Sequence, residues 1–195
     1  MARKATSKQA IFETAVRLAQ GLPVGKLTVT ALCAELGIVK SSFYRYYQSL
    51  KDVFTDALPP IKDEVLKKSP EILLSNCSNV EKLEQLWDVA TQGLVQLGPR
   101  VMAYILQFDG KNYVEKHFYV ADPFVSINCS LLAQAQQSGE ITNHADAALL
   151  FHTIHTFFVG NNTVWASASG AHAYDYRANL LRGIRSIIGA AGPLP

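Results

Sequence analysis

The stretch Thr28–Phe54, TVTALCAELGIVKSSFYRYYQSLKDVF, decides the fold. Val29, Leu32, Cys33 and Leu36 stand at i, i+3, i+4 and i+7, which is one face of an α-helix. Thr28 precedes them as an N-cap. Gly37 follows the last apolar position, where a helix end favours a residue that tolerates positive φ. Ile38 and Val39 make an apolar corner, and a second helix begins at Lys40. Its Phe43, Tyr44 and Tyr47 are spaced to face inward, and Lys40, Ser41, Ser42, Arg45 and Tyr46 are left outside. Two short helices joined by a tight Gly turn form a helix-turn-helix. The outer N-terminal face of the second helix is the part that enters a major groove.

Helix pairs of this kind also occur in ordinary all-α cores, and charge separates the two readings. The whole chain of 195 residues is near neutral, at +2. Residues 1–54 hold eight Lys/Arg against three acids, a net +5, and the remainder is therefore −3. A basic segment confined to one end, and coincident with a helix-turn-helix, is the footprint of a polyanion partner. A solvated charged face would not sort its charges this way.

The same run resembles the N-terminal domain of the TetR family of bacterial transcriptional regulators. Thr28, Leu32, Gly37, Ile38, Ser42, Phe43, Tyr44, Tyr46, Tyr47, Ser49 and Val53 fall in register with that family's pattern. Cys33 stands where the family usually has Ala, and Val39 where it has Ser. The second change leaves the recognition helix without its side-chain cap, worth about 1 kcal/mol. Leu50 replaces a phosphate-contacting Lys, so that contact does not carry over, and Lys51 is the neighbouring base.

The resemblance implies an all-α fold in two parts. Residues 1–54 would be a three-helix DNA-binding domain, and residues 55–195 a helical effector-binding and dimerisation domain. Lys40, Ser41, Ser42 and Arg45 are the expected contacts near the groove floor. Thr28, Thr30, Tyr44, Tyr46 and Lys51 are better placed for phosphates. Ahead of the pair, Ile11, Phe12, Ala15, Leu18 and Ala19 form the inner face of a first helix capped by Thr6 or Ser7. Arg3 and Lys4 lie in a short lead, which the resemblance would place along the DNA backbone or in the minor groove.

Helical signals continue through the body. Ser49 with Asp52 caps a fourth helix that meets Pro59-Pro60, where a kink or break is expected, and reaches as far as Lys68. Ser78 with Glu81 reads as a capping box ahead of Val80, Leu83, Leu86, Trp87, Ala90 and Leu94. Gly98-Pro99 opens another helix ending near Asp109-Gly110, and a further stretch spans 113–120. Asp122-Pro123 starts a helix that ends at Ser138-Gly139. Asn143 with Asp146 starts a long one, and Asp175 to Ile188 forms the last.

The run Ala147–Tyr174 lacks any Asp, Glu, Lys or Arg, yet His152, His155, Asn161 and Asn162 within it are costly in hydrocarbon. It reads as a helix buried in protein, with no membrane span. Arg3, Lys4 and Lys8 interrupt the start, so no secretory leader is expected. Three cysteines, odd in number and far apart, argue against a disulfide framework and fit a reducing cytoplasm.

The last two helices carry apolar residues on more than one face. Phe157, Phe158 and Trp165, with Leu181, Ile184 and Ile188, would therefore pair two copies into the four-helix bundle that the resemblance implies. Small Gly160, Ala166 and Ala168 would permit close approach. A twofold dimer reads a near-palindromic operator. For a small effector, apolar or aromatic, the candidate lining is Trp87, Met102, Tyr104, Phe108, Tyr113, His117, Phe124, His152 and His155. Any of these could equally be core, and Phe118 shares their character. His152-x-x-His155 stands without HExxH, paired CxxC or a carboxylate set, so neither metal nor cofactor is expected. No catalytic signature is present.

The leading expectation is a ligand-released repressor. Beside it stand a same-fold regulator that is constitutive, activating or partner-controlled, and an all-α enzyme or carrier that resembles a regulator only at its front end.

Overall fold

The computed structural model describes residues 7–22, 25–106, 122–167 and 174–191. Among them ten helices follow one another and no strand forms. They are α1 Lys8–Gly21, α2 Val29–Leu36, α3 Lys40–Tyr44, α4 Leu50–Thr55 and α5 Leu58–Leu74. Then come α6 Asn79–Leu97, α7 Pro99–Ile105, α8 Pro123–Gln137, α9 Ala147–Ser167 and α10 Tyr176–Ile188. The all-α reading holds. Arg3, Lys4, Thr6, the stretch 113–120, Phe108, Tyr113, His117, Phe118 and Ala168 lie outside the described residues, as does the expected end of α7 near Asp109.

Most of the helices begin where a side chain can cap them. Ser7 accepts from Ala10 N–H, Thr28 from Ala31, Ser49 from Asp52 and Asp175 from Ala178. Ser78 and Glu81 form both halves of a capping box at α6. Asp146 accepts the N–H groups of Ala148 and Leu149 at the start of α9. Helices α5 and α7 lack such a bond, but each carries Pro in its first turn and so has fewer N–H groups to satisfy. Helix α3 lacks both the bond and the proline: its cap is Val39.

Prolines explain the next joint. The chain breaks at Asp56 and Ala57, and Pro59 and Pro60 fall in the first turn of α5, where a missing N–H costs little. The helix then runs past the expected Lys68 to Leu74, through Pro70. Pro70 cannot donate to the carbonyl four residues back, that of Leu66. The Ser69 hydroxyl donates to that carbonyl instead, at 2.8 Å.

Among the described residues three apolar clusters hold the helices together. Ile11, Ala15 and Ala19 of α1, Leu32 of α2, Phe43 of α3 and Val53 and Phe54 of α4 form the head core. Val101 and Tyr104 of α7 complete it from the body side. The main body core gathers Leu83, Leu86 and Trp87 of α6, Leu132 of α8, Phe151 and Ile154 of α9 and Leu180, Ile184 and Ile188 of α10. A smaller one joins Leu94, Met102 and Tyr176. Across the body, Arg185 of α10 pairs with Glu84 of α6, largely out of solvent. A nearby pair, Arg177 with Asp88, is more exposed.

Candidate nucleic-acid interface

Gly37 makes the corner between α2 and α3. Its φ of 65° is left-handed, and its N–H closes onto the end of α2. That turn sets α3 across α2. Phe43 and Tyr47 anchor α3 and the residues after it from beneath, with Phe43 fully buried. Tyr47 donates its hydroxyl to Asp56 at 2.9 Å. Burial and that carboxylate hold its phenol well above the ordinary value, so it stays a neutral donor.

With the inner side fixed, the outer side is set. Lys40, Ser41, Tyr44 and Arg45 are exposed, and Ser42 and Tyr46 are half-buried. Tyr44 corrects the inward orientation expected from spacing: it is 54% exposed. Tyr44 follows Phe43 by one residue, about 100° round the helix, so with Phe43 fully buried Tyr44 is turned toward solvent. The exposed phenol suits a phosphate contact. Arg45 lies over the Tyr46 ring, 5.7 Å from its centroid. Lys51 is half-buried at the start of α4.

Thr28 is exposed, but its hydroxyl already accepts from Ala31, while Thr30 is exposed in the first turn of α2. Not every base of the front end is available to a partner. Arg17 is paired with Glu35 at 2.7 Å and Lys8 with Asp56 at 2.6 Å. Lys40 and Arg45 form no ion pair among the described residues. Burial pushes the Cys33 thiol up, offset in part by the Lys40 charge, so Cys33 is a small core residue.

The head is latched to the body through α7. The Tyr104 hydroxyl accepts the N–H groups of Gly25 and Leu27, at 3.1 and 3.3 Å, just before α2. Its ring stacks on Phe54 at 4.8 Å. Arg100 donates to the carbonyls of Gln20 and Leu22 at the end of α1. Tyr104 is thus placed at the joint, in the head core and outside the aromatic cluster around Trp87. Sequence reasoning passed over Arg100, and no local motif marks it.

Of those other candidates, Trp87 and Phe124 meet edge to face at 5.3 Å, and Trp87 also touches the Phe151 and Phe158 rings. His155 is half-buried and reaches Phe151 and Phe158, each at 6.0 Å, and His152 lies beside Phe151. Met102 belongs to the smaller cluster with Leu94 and Tyr176. Two buried polar atoms in this region, Trp87 Nε1 and Asn128 Oδ1, have no hydrogen-bond partner among the described residues.

The expected pairing residues divide. Leu181, Ile184 and Ile188 are buried within the chain's own core, and Trp165 stacks on Tyr176 at 4.5 Å. Phe158 packs inward on Trp87. Phe157 lies on the outer face of α9, 36% exposed, between Leu149 at 57% and Val164 at 50%. Periodicity showed that these helices bury several faces; it could not show that one chain covers most of them. Along the same outer face Thr153, Thr156 and Thr163 donate their hydroxyls to carbonyls four residues back, so each helix-bound hydroxyl is satisfied.

Among the described residues no helix is long and apolar enough to cross a membrane, and no group of three metal-ligating side chains forms.

No family model matches the sequence, and no curated protein matches it. Solved structures do. AmtR of Mycobacterium smegmatis superposes with a TM-score of 0.62 at 18% identity, over 98% of this chain and 90% of that one. The ketosteroid transcriptional regulator KstR2 of Mycobacterium tuberculosis gives 0.62 at 15%, over 96% of both chains. PfmR of Thermus thermophilus, a TetR family transcriptional regulator, gives 0.62 at 14%, over 94% and 99%. KstR2 and PfmR are named as regulators and neither as an enzyme. At such identities the likeness speaks for architecture, and it runs nearly end to end. Helix-turn-helix head, joint helix and helical body together give this chain the fold of the TetR-family transcriptional regulators.

Proposed function

We propose that the chain is a DNA-binding transcriptional regulator that acts as a homodimer and is released from a near-palindromic operator by a small, largely apolar or aromatic effector. One observation carries the reading. Helix α3 presents Lys40, Ser41, Tyr44 and Arg45 outward from a footing made by Phe43 and Tyr47, at the end of the chain whose net charge is +5. Such an arrangement supplies a helix for the groove and cations for the phosphates. Residues 1–54 serve as the reading head and 55–195 as the body. Two copies meet along the outer face of α9, through Leu149, Phe157 and Val164.

The effector reading rests on the aromatic cluster around Trp87 and on the unpartnered Trp87 Nε1 and Asn128 Oδ1 beside it. A buried donor and a buried acceptor left unmatched are costly. An aromatic ligand with one acceptor and one donor would match both. Met102 and Tyr104, through α7, would pass its arrival to the head.

The test is selection of bound duplexes from a random pool with the full-length chain, followed by binding to the selected site across a salt series. A near-palindromic consensus with affinity falling steeply as salt rises is the expected result. Enrichment of no sequence, with no duplex binding even at low salt, would overturn the reading. A ligand screen by thermal shift on the same protein then separates an effector-released repressor from a constitutive regulator.

A further inference from the structure

A cleft of about 790 Å³ opens between α1, the joint at Asp56 and Ala57, α5 and α6. Small-ligand sites occupy about 300–1,000 Å³. One wall belongs to the head, through Lys8, Phe12 and Tyr47, and the other to the body, through Asp56, Ile61, Glu64 and Lys68. None of the aromatic cluster around Trp87 lines it. The floor is apolar, with Leu97 beside Phe12 and Ile61. Behind it α5 and α6 close tightly: a Cβ at Gly93 would meet the Ile61 side chain at 2.9 Å.

The rim carries two lysines and two carboxylates. Lys8 pairs with Asp56 at 2.6 Å and Lys68 with Glu64 at 3.4 Å. Gln96 lines the cleft from an exposed position on α6. The lining charges cancel. A ligand of net charge would leave one charge uncompensated in a half-enclosed site, which is unfavourable. A ligand with one charge of each sign can exchange with both pairs and lay its apolar part on the floor.

We propose that this cleft is a small-molecule site, separate from the body core, for a net-neutral zwitterionic amphiphile, and that its occupant fixes the angle between head and body. The second half rests on the DNA-binding reading above; the first does not.

Calorimetry on the full chain without DNA tests the site. The probe is octyl sulfobetaine below its micelle concentration, beside the anionic octyl sulfate and the cationic octyltrimethylammonium. Saturable binding of one sulfobetaine per chain is expected, at least about tenfold tighter than either charged homologue. Gln96→Trp fills the cleft from an exposed position and should weaken it by about tenfold or more. Phe124→Leu, in the body cluster, should leave it unchanged. Equal binding of all three probes, loss in Phe124→Leu but not in Gln96→Trp, or no binding at all would overturn the site.

Anisotropy of a labelled, selected duplex tests the coupling. Saturating sulfobetaine should shift the DNA affinity of the unaltered chain and leave that of Gln96→Trp in place. An affinity unmoved by bound sulfobetaine would overturn the coupling. A chain that binds no duplex would overturn the DNA reading, while the calorimetry still decides the cleft.

Discussion

On the proposed reading of DNA, Arg45 and Lys51 have different jobs. Arg45 is exposed at the end of α3, where a guanidinium can be bidentate to guanine, worth about 1–3 kcal/mol of discrimination. Lys51 is half-buried in the first turn of α4 and suits a phosphate better than a base edge. Arg45→Ala should therefore flatten the preference for the selected site over random duplex, and Lys51→Ala should weaken both alike, as read in paired competition titrations. Glu140 gives a residue-scale expectation of another kind. Its carboxylate accepts from the Val80 N–H at 2.9 Å and from Asn79 and the Ser138 hydroxyl, each at 2.8 Å. Burial pushes its pKa up, but those bonds outweigh burial and hold it below the ordinary value. Folded Glu140 thus binds a proton less readily than the unfolded chain does. Its stabilisation is complete above the unfolded value of about 4.3 and is lost as pH falls through the folded one. Thermal melts of Glu140→Gln should show a shallower loss than the unaltered chain between about pH 5 and about pH 3. The outward placement of Lys40, Ser41 and Arg45 was legible in the sequence, because Phe43 and Gly37 sit at fixed offsets from them. Tyr44 was not, since adjacent aromatics in a five-residue helix leave open which of them faces the core. Tyr104 was not either: an aromatic at helical spacing looks the same whether it meets a ligand or a backbone N–H.

At the scale of elements, caps and apolar periods located nearly every described helix, because those signals are local and each rests on one or two hydrogen bonds. The extension of α5 through Pro70 escaped notice, since the compensation comes from the Ser69 hydroxyl and not from any helix-forming pattern. Helix α3 stands out for its missing cap. Val39 is exposed in extended geometry and ready to accept a better residue. Val39→Ser should add about 1 kcal/mol, raising Tm by roughly 2–4 °C in a scanning calorimeter. The contact between α9 and α10 is set by an absence of side chain. A Cβ on Gly183 would lie 2.1 Å from the Phe157 ring. Gly183→Ala should therefore cost about 1–3 kcal/mol. Combining it with Phe157→Ala in a double-mutant cycle should return a clear coupling energy, because the second change removes the ring that the methyl group strikes.

For the whole molecule, the proposed pairing face is the outer side of α9. Leu149→Glu with Val164→Glu places charges on that face without touching the core. The double variant should sediment as a monomer at concentrations where the unaltered chain is a dimer, and should lose most of its affinity for a two-half-site duplex while keeping its melting behaviour. No inspection of the sequence could have separated this face from the buried ones, since Leu181, Ile184 and Ile188 are as apolar as Leu149. The cleft between head and body was equally hidden, because its walls come from residues as distant as Lys8 and Leu97. One consequence of the joint concerns anyone hoping to transplant the reading head. Val101 and Tyr104 fill the head's underside, and the Tyr104 oxygen holds the loop leading into α2. A fragment cut after Phe54 would leave a hole where two side chains belong and two amides without an acceptor. A chimera that grafts this head onto a foreign sensor must therefore carry the 99–105 segment along with it, or supply a substitute plug.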